Sequence, residues 1–204
     1  MSTTENTTTT TAHFWFDPGC PFTWATSRWL REAATARGAD IHWHLMSLAV
    51  LNEGRPVPEQ YREAMALSWR PVRLLAAAER SAGPDAVGAL YDTLGQQVHE
   101  QGRAVDDDVL SSALRAAGMP ADLLAAADDP GFDEAVRASH ARAQERVGMD
   151  SGSPITALGD GPAYFGPVVA PAPTGSAGTD LWDALVAISR VPQLSELKRG
   201  RGRL

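Results

Sequence analysis

The feature that most constrains this chain is the run His13-Phe14-Trp15-Phe16-Asp17-Pro18-Gly19-Cys20-Pro21-Phe22-Thr23-Trp24. His13 to Asp17 is a short apolar and aromatic stretch of the kind that forms a strand, and Pro18 and Gly19 stop it. Pro21 suits the first turn of a helix, whose Trp24, Trp29 and Ala33 carry an apolar stripe to about Arg37. Gly38 is placed to end that helix, and Ile41 to Met46 alternates as a second strand. A strand, a crossover helix and a strand make a βαβ unit, so the two strands are expected to run parallel. The fold class is therefore α/β.

From about Pro58 to Val147 the chain changes to Ala, Leu, Arg and Glu at helical spacing, with breaks near Gly83 and Pro84, Gly102, Gly118 to Pro120, and Asp128 to Gly131. This predicts a block of about four or five helices. Asp106 to Asp108 begin one of them and Asp128 to Pro130 precede another, where acidic residues favour the positive end of a helix. Pro154 to Leu158 and Ala163 to Val169 read as two strands joined by a Gly159-Asp160-Gly161 turn, and Thr179 to Ser189 as a last helix. The order is βαβ, helical insertion, ββα. Residues 13–57 and 148–199 are thus expected to form one α/β domain, with 58–147 inserted into it. Residues 1–12 read as a Thr-rich, disordered lead-in and 200–204 as the end of a short basic, solvated tail containing Lys198, Arg199, Arg201 and Arg203.

Composition narrows the function classes. The 204 residues carry a net charge of −7, which argues against a broad nucleic-acid or anionic-membrane surface, because phosphate binding needs clustered positive charge. No apolar run approaches the ~20 residues of a spanning helix, and the start lacks a signal-peptide pattern, so a cytoplasmic protein is expected. The single cysteine excludes an intramolecular disulfide and any CxxC zinc site. No phosphate-cradling glycine loop or dinucleotide fingerprint is present, so no nucleotide cofactor is expected. His42 and His44 share one face of the second strand but have no third ligand at close spacing, so they read as structural, and no metal is expected. Asp106 to Asp108 are a solvated helix start rather than a catalytic pair.

That lone cysteine, Cys20, sits where a strand turns into a helix. Unpaired N–H groups and the positive end of a helix stabilise a thiolate, the reactive form of the residue. A cysteine is also a small hydrophobe that packs well in cores, but the strand-Pro-Gly-Cys-Pro-helix setting favours the reactive reading. Phe22 and Trp24 flank the thiol, Phe22 on the more exposed side and Trp24 toward the core. His99 ends a predicted helix and is suited either to moving a proton near neutral pH or to capping that helix.

Cys20-Pro21-Phe22-Thr23 resembles the Cys-Pro-X-Cys site of the DsbA family of the thioredoxin superfamily, with the second cysteine replaced by Thr23. The resemblance is closer to the mycothiol-dependent reductase (nitroreductase) branch. It is carried by Phe14 to Pro18, Ser27-Arg28-Trp29, Met46 to Glu53, Pro58 to Glu63, Trp69 with Pro71-Val72-Arg73, Leu90-Tyr91 to His99, Ser139-His140, Phe165 to Val168, and Leu181-Trp182-Asp183. It covers about His13 to Arg199 and implies a thioredoxin fold with an inserted helical subdomain. It also implies chemistry with a low-molecular-weight thiol, mycothiol, and a small-molecule substrate. Ser153-Pro154 stands where the family carries its cis-proline segment, so the resemblance implies a cis bond before Pro154 and a thiol-binding role for both residues. Asn52, Tyr61 and Trp69, at the junction with the helical block, are expected to contact a bound substrate, although core packing explains Trp69 equally well.

Thr23 changes the mechanism, because a dithiol enzyme releases its mixed disulfide with the second cysteine. Its hydroxyl is expected to reach toward the Cys20 sulfur or a bound thiol, and release must come from an external thiol. The expected activity is a monothiol, mycothiol-dependent oxidoreductase acting through Cys20 on a small disulfide or electrophile. The alternative is a thiol-dependent cis-trans isomerase or transferase, resembling the kappa-type glutathione transferases, acting on a conjugated small molecule.

Overall fold

A computed structural model of the chain describes residues 10–56, 58, 59 and 65–200. The sequence expectations for the first nine residues, for Tyr61 and for the last four residues lie outside the described residues. β1 (Thr11–Phe16) leads through Asp17-Pro18-Gly19 into α1 (Pro21–Arg37), and β2 (Asp40–Leu45) follows. The punctuation acts as the sequence implies. Pro21 lies in the first turn of α1, and Gly38 ends the helix at φ +61°, a left-handed conformation that a Cβ would strain.

β2 pairs parallel with β1, placing Phe14 beside Trp43 and Phe16 beside Leu45. β3 (Ile155–Leu158) pairs antiparallel with β1, and β4 (Ala163–Phe165) antiparallel with β3, giving the order β2-β1-β3-β4. This βαβ and ββα arrangement around one mixed sheet is a thioredoxin fold.

Between its halves run α2 (Leu48–Leu51), α3 (Trp69–Ala82) and α4 (Pro84–Gly95), which continues into a π-helical turn, Gln96–Glu100. Then come α5 (Asp107–Ala116), 3-10 segments at Ala121–Asp128 and Pro130–Phe132, and α6 (Asp133–Val147). Asp106 caps α5 by accepting from the Val109 N–H at 2.8 Å. The last helix, α7 (Gly175–Ser189), lies against α1, where the indole N–H of Trp29 donates to Gly178 O at 2.8 Å.

The period of two in β1 separates two cores. Ala12, Phe14 and Phe16 face α1 and the helical block, joining Trp24, Trp29, Trp43 and Tyr91 in the main cluster. Trp15 faces the other way and packs with Met46, Ile155, Ala157 and Ala143 of α6. Each fully buried large side chain in these layers stabilises the fold by roughly 1.5–3 kcal/mol. Helices on both faces thus clamp β1 and fix the position of its C-terminal end, where the cysteine turn begins.

Three boundaries differ from the sequence expectation. β1 begins at Thr11 rather than His13, so Thr11 and Ala12 belong to the sheet and not to a disordered lead-in, because they pair with Asp40 and Ile41 of β2 and Ala12 is fully buried. β4 stops at Phe165 rather than running to Val169, because Gly166 turns the chain at φ +100° and Pro167 has no N–H to continue a ladder. α7 begins at Gly175 rather than Thr179, because the Glu32 carboxylate on α1 accepts from the Gly175 N–H at 2.7 Å and supplies the missing cap. Among the described residues no helix is long and apolar enough to cross a membrane.

Candidate active site

The turn after β1 is built around Asp17. Its carbonyl accepts from the Cys20 N–H at 3.2 Å, and its Oδ1 accepts from the Gly19 N–H at 2.8 Å. An aspartate that bonds the backbone two residues on is a turn-former in its own right. Cys20 is the N-cap residue of α1, in an extended conformation, and its carbonyl accepts the helix's first bond from the Trp24 N–H at 3.0 Å. The thiol therefore stands at the N-terminal end of a 17-residue helix, and the residue keeps about 8% of its surface exposed.

The segment before β3 closes over this turn. The Ser153-Pro154 peptide is cis, as the resemblance implies, and Ser153 O lies 3.9 Å from Cys20 Sγ. The Ser153 hydroxyl accepts from the Asp17 N–H at 2.9 Å and lies 2.7 Å from Thr23 Oγ1. Thr23 is fully buried, so its hydroxyl serves this internal pair; the sequence-based placement toward the sulfur is replaced by Ser153. Pro154 O accepts from the Gly166 N–H at 2.8 Å, and the Phe165 ring covers Gly152. Phe22 is half-buried and Pro21 exposed beside the thiol.

His99 reaches the same turn from the helical block. Its Nε2 lies 2.8 Å from Pro18 O, and since a carbonyl only accepts, Nε2 carries the proton and donates. Its ring stacks on Trp24 with centroids 5.7 Å apart. The π-helical turn that carries His99 follows Gly95, where a Cβ would lie 2.1 Å from the Trp24 ring, so only glycine admits this approach. The Arg28 guanidinium covers the indole of Trp24 3.9 Å from its centroid and pairs with Asp92. Burial lowers the His99 pKa from its ordinary value, against a smaller opposing effect of the Pro18 bond. The imidazole is thus neutral at pH 7 and holds the turn by a directed hydrogen bond.

The structure brings Cys20, Thr23, Ser153, Pro154, Trp24 and His99 into one constellation. Asn52 sits at the end of α2, where its amide donates to Leu48 O at 2.7 Å. Trp69, half-buried at the start of α3, has the Arg73 and Arg137 guanidinium groups over its ring at 5.1 and 5.2 Å, the packing role that the sequence left open. His42 and His44 lie on the face of the sheet that carries Trp15, where His44 stacks on the Trp15 ring and its Nε2 lies 3.0 Å from His13 Nδ1. Among the described residues no cluster of His, Cys, Asp or Glu has a metal-binding arrangement. The residue that sequence reasoning passed over is Asp17. It carried a signal, an aspartate two residues before a glycine in a turn, but its burial at 2% exposure depends on the distant Leu48 and Ser153.

Comparison with known proteins agrees with this architecture. Residues 19–199 match the family model Rv2466c-like, described as mycothiol-dependent nitroreductase Rv2466c. A relative from Mycobacterium tuberculosis, the uncharacterized protein Rv2286c, is 32% identical over 192 residues, covering 93% of this chain and 82% of that one. Among solved structures, the probable DsbA oxidoreductase SCO1869 from Streptomyces coelicolor superposes with a TM-score of 0.60 at 17% identity, over 93% of both chains. A 2-hydroxychromene-2-carboxylate isomerase gives 0.61 at 17% identity, over 89% of this chain and 95% of that one. The cytosolic disulfide reductase DsbM from Pseudomonas aeruginosa gives 0.54 at 22% identity, over 88% and 98%. The three structures share the fold. With its matched region starting at the cysteine turn and covering most of the chain, the chain belongs to the Rv2466c-like family, that of the mycothiol-dependent nitroreductase.

Proposed function

We propose that the protein is a monothiol oxidoreductase in which Cys20 attacks a small disulfide or electrophile and mycothiol regenerates the thiol. The observation that carries this reading is the placement of the chain's one cysteine at the start of α1, facing Ser153 O before a cis proline. With a mycothiol mixed disulfide as substrate, the Cys20 thiolate attacks the mycothiol sulfur and the other sulfur leaves as a thiolate that takes up a proton. A second mycothiol, as thiolate, then attacks the mycothiol sulfur bound to Cys20, freeing Cys20 and forming mycothiol disulfide. The balance is one mixed disulfide and one mycothiol giving one free thiol and one mycothiol disulfide. Thr23, Ser153 and Pro154 hold the turn, His99 fixes it through Pro18, and Phe22 lies next to Cys20 in the turn. A reducing compartment such as the cytoplasm belongs to this reading, since a pool of reduced thiol must drive the second step.

A second reading is supported by the Thr23 and Ser153 hydroxyl pair, which takes the place of a resolving thiol. A thiolate that adds to a conjugated alkene, permits rotation and is then eliminated also needs no second cysteine. The two readings differ in net consumption of thiol. Purified protein supplied with mycothiol and a mycothiol mixed disulfide should form mycothiol disulfide in step with the thiol product, and Cys20→Ser should abolish this. Turnover of a conjugated substrate without thiol consumption would replace the oxidoreductase by the isomerase.

A further inference from the structure

Asp17 is a carboxylate with only 2% exposure, and no cation faces it among the described residues. Its two oxygens are nonetheless both occupied, Oδ1 by the Gly19 N–H at 2.8 Å and Oδ2 by the Leu48 N–H at 2.6 Å. Gly19 precedes the nucleophile, whereas Leu48 opens α2, where the chain leaves the sheet for the helical block. The Asp17 N–H donates to Ser153 Oγ and its carbonyl accepts from the Cys20 N–H, so one residue ties together three segments that are distant in sequence. We propose that Asp17 is a positioning residue for the Cys20 thiol, holding the nucleophile turn against the β2–α2 corner through a carboxylate shared between the Gly19 and Leu48 amides. The inference rests on the proposed function only in taking Cys20 as the reacting atom.

A carboxylate accepts both N–H bonds at full strength, but a carboxylic acid does not, because one oxygen then carries a hydrogen and becomes a poor acceptor. Protonation therefore releases one side of the strap. Burial pushes the Asp17 pKa up to about 6, opposed by the Leu48 and Gly19 bonds, so this change falls within a range in which the protein can be studied folded. The titratable groups facing Asp17 do not supply a competing charge. Tyr91 of α4 is held neutral by burial, its pKa raised, with Arg28 beyond it. His140 of α6 meets the Ser47 N–H, and His99 meets Pro18; burial lowers the pKa of both. Cys20, the other ionisable side chain on the turn, is removed in the control below.

The test follows the Gly19 and Leu48 amide resonances in 15N-labelled protein from pH 4.5 to 8, in the wild type and in Cys20→Ser. Both amides should shift with one common midpoint near 6 in both proteins. Separate midpoints, no titration, or a midpoint lost in Cys20→Ser would overturn the proposal whether or not the protein turns over mycothiol. A second arm measures alkylation of Cys20 by iodoacetamide, corrected for the thiolate fraction, in the wild type and in Asp17→Asn. The carboxamide accepts from only one of the two amides, so the variant should react about fivefold faster above pH 7, an effect the size of one net hydrogen bond. That ratio should fall to 1 below pH 5, where the wild-type carboxyl is itself protonated. A ratio that is the same at both pH values would mark a merely structural role and overturn the proposal. If Asp17→Asn does not fold, the wild-type amide titration decides alone.

Discussion

Thr23 is the residue on which the proposed monothiol cycle turns. Its hydroxyl lies 2.7 Å from Ser153 Oγ in the core, so the position that would carry a resolving thiol instead binds the nucleophile turn to the segment before Pro154. Thr23→Cys should return an internal attacking group and change the chemistry more than the fold. We expect the variant to lose both free thiols under air and to gain disulfide reductase activity with a dithiol reductant, since a tethered thiol replaces a bimolecular step. Free-thiol titration of the native variant gives the first result, and turnover with and without reductant the second. Two thiols per chain persisting under air, with unchanged activity, would contradict the geometry assigned to positions 20 and 23. The position was legible in sequence, because Cys20-Pro21-Phe22-Thr23 is local. The partner was not, because Ser153 arrives from 130 residues away.

At the level of elements, the thiol turn is positioned from outside the thioredoxin fold. Helix α4 and its π-helical extension bring His99 to Pro18 O, and Gly95 provides the space in which Trp24 lies between Tyr91 and His99. Gly95→Ala puts a methyl 2.1 Å from the Trp24 ring, with a helix on one side and a buried indole on the other, so neither can yield freely. The expected cost is about 1–3 kcal/mol, as for other overpacked cores, read as a lower urea midpoint together with altered Cys20 reactivity. Unchanged stability and reactivity would show that the helical block does not set the turn. Elements whose signals are local were the ones visible in the sequence: α1 between Pro21 and Gly38, α5 behind Asp106, and β1 with its alternation of Phe14 and Phe16 against Trp15. The start of α7 was hidden because its cap is the side chain of Glu32, and the π-helical turn because Gln96 to Glu100 carry no pattern that distinguishes it from an α-helical end.

For the molecule as a whole, burial of ionisable groups sets how stability depends on pH. Burial first, and then its histidine neighbours, lowers the His44 pKa to about 4; His13, His99 and His140 are also lowered, each chiefly by burial. The unfolded chain binds protons at these histidines from about pH 6.5 downward. Their contribution to stability is therefore present above that value and is lost as pH falls through the folded pKa values. Asp17 acts with the opposite sign, because its raised pKa favours folding at low pH and that contribution is lost as pH rises through about 6. The histidines outnumber it, so the urea midpoint should fall between pH 7 and pH 5 with an unchanged slope. A midpoint that rises over this interval would mean that Asp17 dominates. The central claim, that the molecule presents one cysteine to a low-molecular-weight thiol, is tested most directly by intact mass measurement of the reduced protein after mixing with mycothiol disulfide. The account predicts one mycothiol per chain, attached at Cys20, absent in Cys20→Ser and removed by added mycothiol. Native protein that forms no adduct, while denatured protein does, would contradict it.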